Sequence, residues 1–169
     1  AAAQAADESV RVSLINSGGI RAAIGEVNDQ GQLLPPQRNL ETGKEEGQIS
    51  QFDIVNSLRF NNDLTLLTVT AQELELILEH SVAATEEGAT PSQFLQVGGL
   101  NFSFDPSQAA IAFDEQANII SEGKRIQNLS ILNADGSVHD VIVKEGNLIG
   151  DPSREIRLVT LDFLSGTFS

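Results

Sequence analysis

Residues 57–82 read SLRFNNDLTLLTVTAQELELILEHSV, and the change of period inside this stretch decides the class of fold. From Asp63 to Thr70 the run DLTLLTVT has the Leu, Val and Thr content of a strand. At Thr70 the pattern changes. Thr70-Ala71-Gln72-Glu73 is a capping box, in which a hydroxyl and a carboxylate satisfy backbone N–H groups that a first helical turn leaves unpaired. Leu74, Ile77, Leu78 and Val82 then recur at helical spacing, and Gly88 supplies a stop signal. Glu73, Glu75, Glu79, Glu86 and Glu87 are expected on the solvated face of this helix.

Downstream, FLQVGG at 94–99 runs into LNFSFD at 100–105, where Leu100, Phe102 and Phe104 alternate with Asn101 and Ser103 as in a half-buried strand. Residues 127–133 and 138–143 are two strands joined at Asn133-Ala134-Asp135-Gly136, a hairpin turn signal. IRLVTLDF at 156–163 is the last strand. Upstream, VRVSLIN at 10–16 has the β-branched, apolar character of a buried strand and ends in the turn Ser17-Gly18-Gly19. Residues 25–48 are polar, with Pro35-Pro36 and several glycines, and are expected to form a long surface loop. Ser50 then caps a short helix, with Asp53 at its third position. About six strands and two to three helices in mixed order predict an α+β fold with a mixed sheet, in one domain spanning 1–169.

Composition narrows the function. With Lys+Arg 10 and Asp+Glu 24 the net charge is −14, and the pI is about 4.3. Such a surface repels phosphate backbones and anionic lipid, so nucleic acid and membrane surfaces are not expected partners. No apolar run approaches the roughly 20 residues that span a bilayer. There is no Cys, hence no disulfide, zinc-thiolate site or cysteine nucleophile, and with only His80 and His139 no His-rich metal centre can form. Met is absent too, and the chain opens AAAQAADES without a visible signal peptide, so it is expected to be processed or excised from a longer protein.

Three places carry chemistry, each with two readings. Asn16-Ser17-Gly18-Gly19-Ile20-Arg21 fits a ligand loop, with an amide, open backbone and a guanidinium fork, and equally a tight turn beside a surface Arg. Phe60-Asn61-Asn62 fits a stacking ring with edge-reading amides, or a core Phe next to a turn. Asp162-Phe163-Leu164-Ser165-Gly166 fits a second stacking wall, or the end of a core strand. His80 and His139 read as structural or surface residues, and Asp114-Glu115 lacks the further ligands of a calcium site.

Taken in order, NSGGIR, the 57–82 block, FLQVGGLNFSFD and IRLVTLDFL resemble the C-terminal domain of the 5'-nucleotidase family, over roughly residues 10–165. The resemblance implies a two-domain hydrolase whose N-terminal domain, absent here, holds two divalent metal ions. The C-terminal domain binds the nucleoside between two aromatic rings. On that pattern Asn16, Gly18, Gly19 and Arg21 form the ligand loop. Phe60 is the first ring, Asn62 an amide beside it, Gly98 or Gly99 a place where backbone nears the base, and Phe163 the second ring. The chain departs from the pattern at Arg59, where Pro is usual, at Thr70, where Gly is usual, and after Phe163, where LSGTFS replaces a GGDGY-like turn. The expected function is nucleoside or nucleotide recognition for a phosphomonoester hydrolase, with no catalytic residue, metal or cofactor in this chain. A periplasmic or extracellular location is implied by the family alone. The alternative is a structural or docking module of an atypical alkaline phosphatase that binds no nucleotide.

Overall fold

The structure, a computed structural model, describes residues 2–89 and 91–166. The chain divides into two units, one built from Ala1–Ser17 and Asn62–Ser169, the other from Gly18–Asn61.

In the larger unit, α1 (Ala2–Ala6) precedes β1 (Val12–Asn16). The chain returns with β4 (Leu64–Thr70), α3 (Ala71–Val82), β5 (Leu95–Gly98) and β6 (Leu100–Phe104). It continues through β7 (Ala112–Phe113), β8 (Ile119–Ser121), β9 (Ile126–Leu132) and β10 (Val138–Lys144). It closes with β11 (Asn147–Leu148), β12 (Glu155–Leu161) and α4 (Asp162–Ser165). The expected mixed sheet is present, in the order β4-β12-β1-β5. Here β1 runs parallel to β12, while β4 and β5 are antiparallel to their neighbours. A second four-stranded sheet, β11-β10-β9-β6, is antiparallel throughout.

The helix and both sheets share one core. Leu74, Leu78 and Val82 of α3 are fully buried, in a cluster with Val12, Leu14 and Leu158 of the first sheet and Leu129, Ile131, Ile142 and Val143 of the second. Phe94, Phe102 and Phe104 pack against this cluster with ring centroids 6.1–6.3 Å apart. The capping box of α3 forms as the sequence predicts: the Glu73 N–H donates to the Thr70 hydroxyl at 3.1 Å and the Thr70 N–H to the Glu73 carboxylate at 2.7 Å.

Three local expectations change. The helix stops at Val82, well before Gly88, because the Arg125 guanidinium donates to the carbonyls of Val82, Ala83 and Thr85 at 2.7, 3.0 and 3.3 Å and so occupies the helix end. Glu79 is not on a solvated face. It is 3% exposed and accepts the backbone N–H groups of Arg125 and Ile126 at 3.1 and 2.7 Å, tying the helix to the start of β9. A side chain at Gly123 would collide with that carboxylate. The last strand ends at Leu161 rather than at Phe163. Asp162–Ser165 turn into one helical turn, closed by Gly166 at φ +71°.

In the smaller unit, the Ser17–Gly19 turn leads to β2 (Glu26–Val27) and β3 (Leu33–Leu34), which pair as a hairpin. The polar stretch 25–48 is therefore partly structured: the Asn28 side-chain carbonyl accepts the N–H groups of Gln30 and Gln32, and Asn39 bridges Lys44. Then comes α2 (Gln51–Ser57), capped by Ser50. Within residues 18–61 only Ser57 is buried, while Phe52, Val55, Leu58 and Phe60 are more than half exposed. Polar bonds hold this unit. Chief among them is the Lys44–Asp53 pair at 2.7 Å, which with the Ser50 hydrogen bonds lowers the Asp53 pKa from 3.8 to about 2.

The direction sets a pH window. A carboxylate depressed in the folded state stabilises it fully above the unfolded value and ceases to do so as pH falls through the folded one, so this support is lost between about pH 4 and pH 2. The carbon NMR titration of the Asp53 carboxyl is expected to have its midpoint near 2, and Lys44→Ala to move it up toward 3.8. A wild-type midpoint at the ordinary value would show that the pair does not form.

Candidate functional site

Because β1 and β12 are parallel neighbours, their carboxyl ends lie together, and the candidate residues of the larger unit collect there. Asn16 is the last residue of β1, half-buried and paired through its backbone with Leu95 of β5. Leu14 and Asn16 share one face of β1, as Leu158 and Thr160 share one face of β12. These side chains line a cavity of about 630 Å³, with Leu76, Ile77 and His80 of α3, Phe113 of β7, and Phe163 and Leu164 of the turn after β12. The Thr160 hydroxyl donates to the Leu14 carbonyl at 2.9 Å, and the Gln93 amide to the His80 carbonyl at 2.6 Å. Five polar side chains line this largely apolar space, and those of Asn16, His80 and Ser92 make no hydrogen bond to the described residues.

Phe163 is 55% exposed and lies on the wall of this cavity. Leu161 pairs with Leu64, and the Asp162 N–H donates to the Asp63 carbonyl at 2.9 Å. That register brings half-buried Asn62 beside the turn that carries Phe163. Asn16, Asn62 and Phe163 thus belong to one end of the sheet.

Gly98 and Gly99 do not join them. Gly98 pairs with Ser13, three residues back along β1 from Asn16. Gly99 has φ +75° where the chain passes from the first sheet to the second, and a Cβ there would strike the Arg11 carbonyl oxygen. Both glycines line a separate depression with Arg11, Val12 and Ser13.

In the smaller unit, Gly18 and Gly19 lie in the Ser17–Gly19 turn with no positive φ. Arg21 is exposed, donates once to the Gly18 carbonyl at 3.1 Å and keeps its other guanidinium donors without a partner among the described residues. Phe60 is 54% exposed, so it is not a core residue of its unit.

His80, Phe113 and Thr160 line the cavity, yet the sequence singles out none of them as a ligand residue: His80 and Thr160 lie inside motifs without a role there, and Phe113 lies outside them. The nearest signal is the position of His80 three residues after Ile77 on the same face of α3. Among the described residues no group of three His, Cys, Asp or Glu side chains is placed to hold a metal ion. Among them, too, no helix is long and apolar enough to cross a membrane.

The chain is similar to a 5'-nucleotidase precursor from Thermus thermophilus, with a TM-score of 0.63 and 23% identity over 96% of this chain and 24% of that one. It is also similar to the NAD nucleotidase of Haemophilus influenzae, with a TM-score of 0.57 and 14% identity over 94% of this chain and 21% of that one. At these identities the likeness is one of fold, and the chain spans about a quarter or less of those proteins' length. No curated protein sequence matches. The family model described as 5'-nucleotidase, C-terminal domain matches residues 1–166. By that match over almost its whole length, and by a fold shared with two nucleotidases, this chain belongs to the 5'-nucleotidase C-terminal domain family.

Proposed function

We propose that the chain recognises the nucleoside part of a nucleotide for a 5'-nucleotidase-type hydrolase acting outside the cytoplasm. The observation that carries this reading is the pairing of an unpartnered amide, Asn16, with an exposed ring, Phe163, on one apolar cavity at the carboxyl ends of β1 and β12. A flat base stacks on such a ring and offers its edge to such an amide. Asn62, whose backbone lies next to the turn that carries Phe163, is proposed as a second amide. Arg21 and Phe60 are proposed as nucleotide contacts of the smaller unit on the family's pattern, with Gly18 and Gly19 leaving their backbone open. The close approach of β1 accounts for Gly98 and Gly99 without a ligand.

The described residues do not fit a two-metal centre. Bond cleavage is therefore assigned to a separate metal-binding domain, and this chain contributes binding and orientation. A net charge of −14 also disfavours a phosphate dianion at long range, so the base and ribose are expected to supply most of the affinity.

Calorimetric titration of the chain tests the reading. Adenosine is expected to bind, AMP no more tightly, and ribose 5-phosphate not at all. Ribose 5-phosphate binding as well as adenosine would contradict base recognition. Metal-dependent phosphate release from AMP by the pure chain would contradict the division of labour.

A further inference from the structure

The cavity at the carboxyl ends of β1 and β12 is lined mostly by apolar side chains. Its 630 Å³ lies well within the roughly 300–1,000 Å³ of small-molecule sites. In a chain with Lys+Arg 10 and Asp+Glu 24, none of these charged residues lines it. The wall formed by α3 and the β7 strand presents Ile77, Leu76 and Phe113, and the His80 imidazole meets the Phe113 ring edge-on with centroids 5.7 Å apart at 71°. A phosphate placed here would lose its water and meet no Lys or Arg in return. A flat ring would cover carbon and could still give a hydrogen bond to the side chain of His80 or Ser92, neither of which makes one to the described residues.

We propose that this wall of the cavity is a second ring-binding site, next to the base site at Asn16 and Phe163, so that the ligand of the domain carries two rings. The inference rests on the nucleoside reading and deepens it. The base lies on Phe163, and a second, uncharged aromatic group attached to the same ligand packs among Ile77, His80 and Phe113. Relative to a ligand with one ring, the second gains about tenfold in affinity from the apolar area it removes from water.

Indole, a flat ring with one N–H donor, tests the site without presuming how the two rings are joined. The chain is titrated with indole, alone and with saturating adenosine, and followed by methyl and aromatic NMR. Saturable shifts at Ile77 and Phe113 are expected in both titrations, and Phe113→Ala is expected to weaken indole several-fold more than it weakens adenosine. Absence of saturable shifts at these residues overturns the proposal. So does displacement of indole by adenosine, because the cavity would then hold one ring only. If adenosine itself fails to bind, the nucleoside reading falls and the two-ring ligand falls with it, whatever indole does.

Discussion

Gly99→Ala is expected to remove more than about 3 kcal/mol of stability from the larger unit, a large share of the roughly 5–15 kcal/mol that a domain has. Two costs combine. The residue sits at φ +75°, where an L side chain costs about 1–2 kcal/mol. Its Cβ would also fall on the backbone of Arg11, which cannot move as a side chain end can. Relief requires β1 to shift, and β1 holds the centre of the mixed sheet against both β12 and β5. The Gly99 carbonyl, which accepts the Leu132 N–H at 2.8 Å, would shift too. Gly136→Ala is the control. Gly136 has φ +84° with nothing near its Cβ, so only the conformational cost of about 1–2 kcal/mol applies. Urea unfolding of both variants measures the difference. Equal losses would show that β1 does not approach Gly99 closely.

Phe163→Ala is expected to weaken adenosine binding by about 1–3 kcal/mol, or about five- to 150-fold, the worth of one stacked base. Because the ring is 55% exposed on a single helical turn, its removal leaves the core intact, and the unfolding midpoint is expected to stay close to wild type. Loss of binding with unchanged stability distinguishes a ligand ring from a packing ring. Asn16→Ala should also weaken adenosine, but through the base edge. Its effect should therefore shrink for a nucleoside whose edge lacks the matching group, whereas that of Phe163→Ala should not.

Local patterns account for what the sequence revealed of the fold. The Thr70–Glu73 capping box, the helical period from Leu74 to Val82, the alternation of Leu100, Phe102 and Phe104, and the turn at Asn133–Gly136 each act within a few residues, and each appears in the structure. Glu79 could not be read this way. Its partners are the backbone N–H groups of Arg125 and Ile126, 46 and 47 positions away, and an isolated helix shows only an acidic side chain beside others. The end of α3 was hidden for the same reason, since Arg125 and not Gly88 terminates it. The polar 25–48 stretch conceals a hairpin of two-residue strands, too short to impose a period. The helical turn at Asp162–Ser165 follows a strand so apolar that the strand pattern extends over it.

The site divides along the same line. Asn16, Asn62 and Phe163 stand in recognisable motifs, and the parallel pairing of β1 and β12 together with the antiparallel pairing of β12 and β4 explains why those motifs converge. Gly98 and Gly99 stand in an equally recognisable motif that the sheet crossover explains instead. Phe113 reaches the cavity from a segment that carries no motif, and His80 from a helix whose motif speaks only for the fold.

The central claim is that the chain binds a nucleoside at the carboxyl ends of β1 and β12. An NMR titration with adenosine, following the rings of the eight Phe and the Asn16 amide, tests it most directly, there being no Trp or Tyr to report by fluorescence. Saturable shifts at Phe163, Asn16 and Asn62 are the predicted result, with Phe94, Phe102 and Phe104 unmoved in the core. A well-dispersed spectrum in which none of the three site residues responds to adenosine would contradict it.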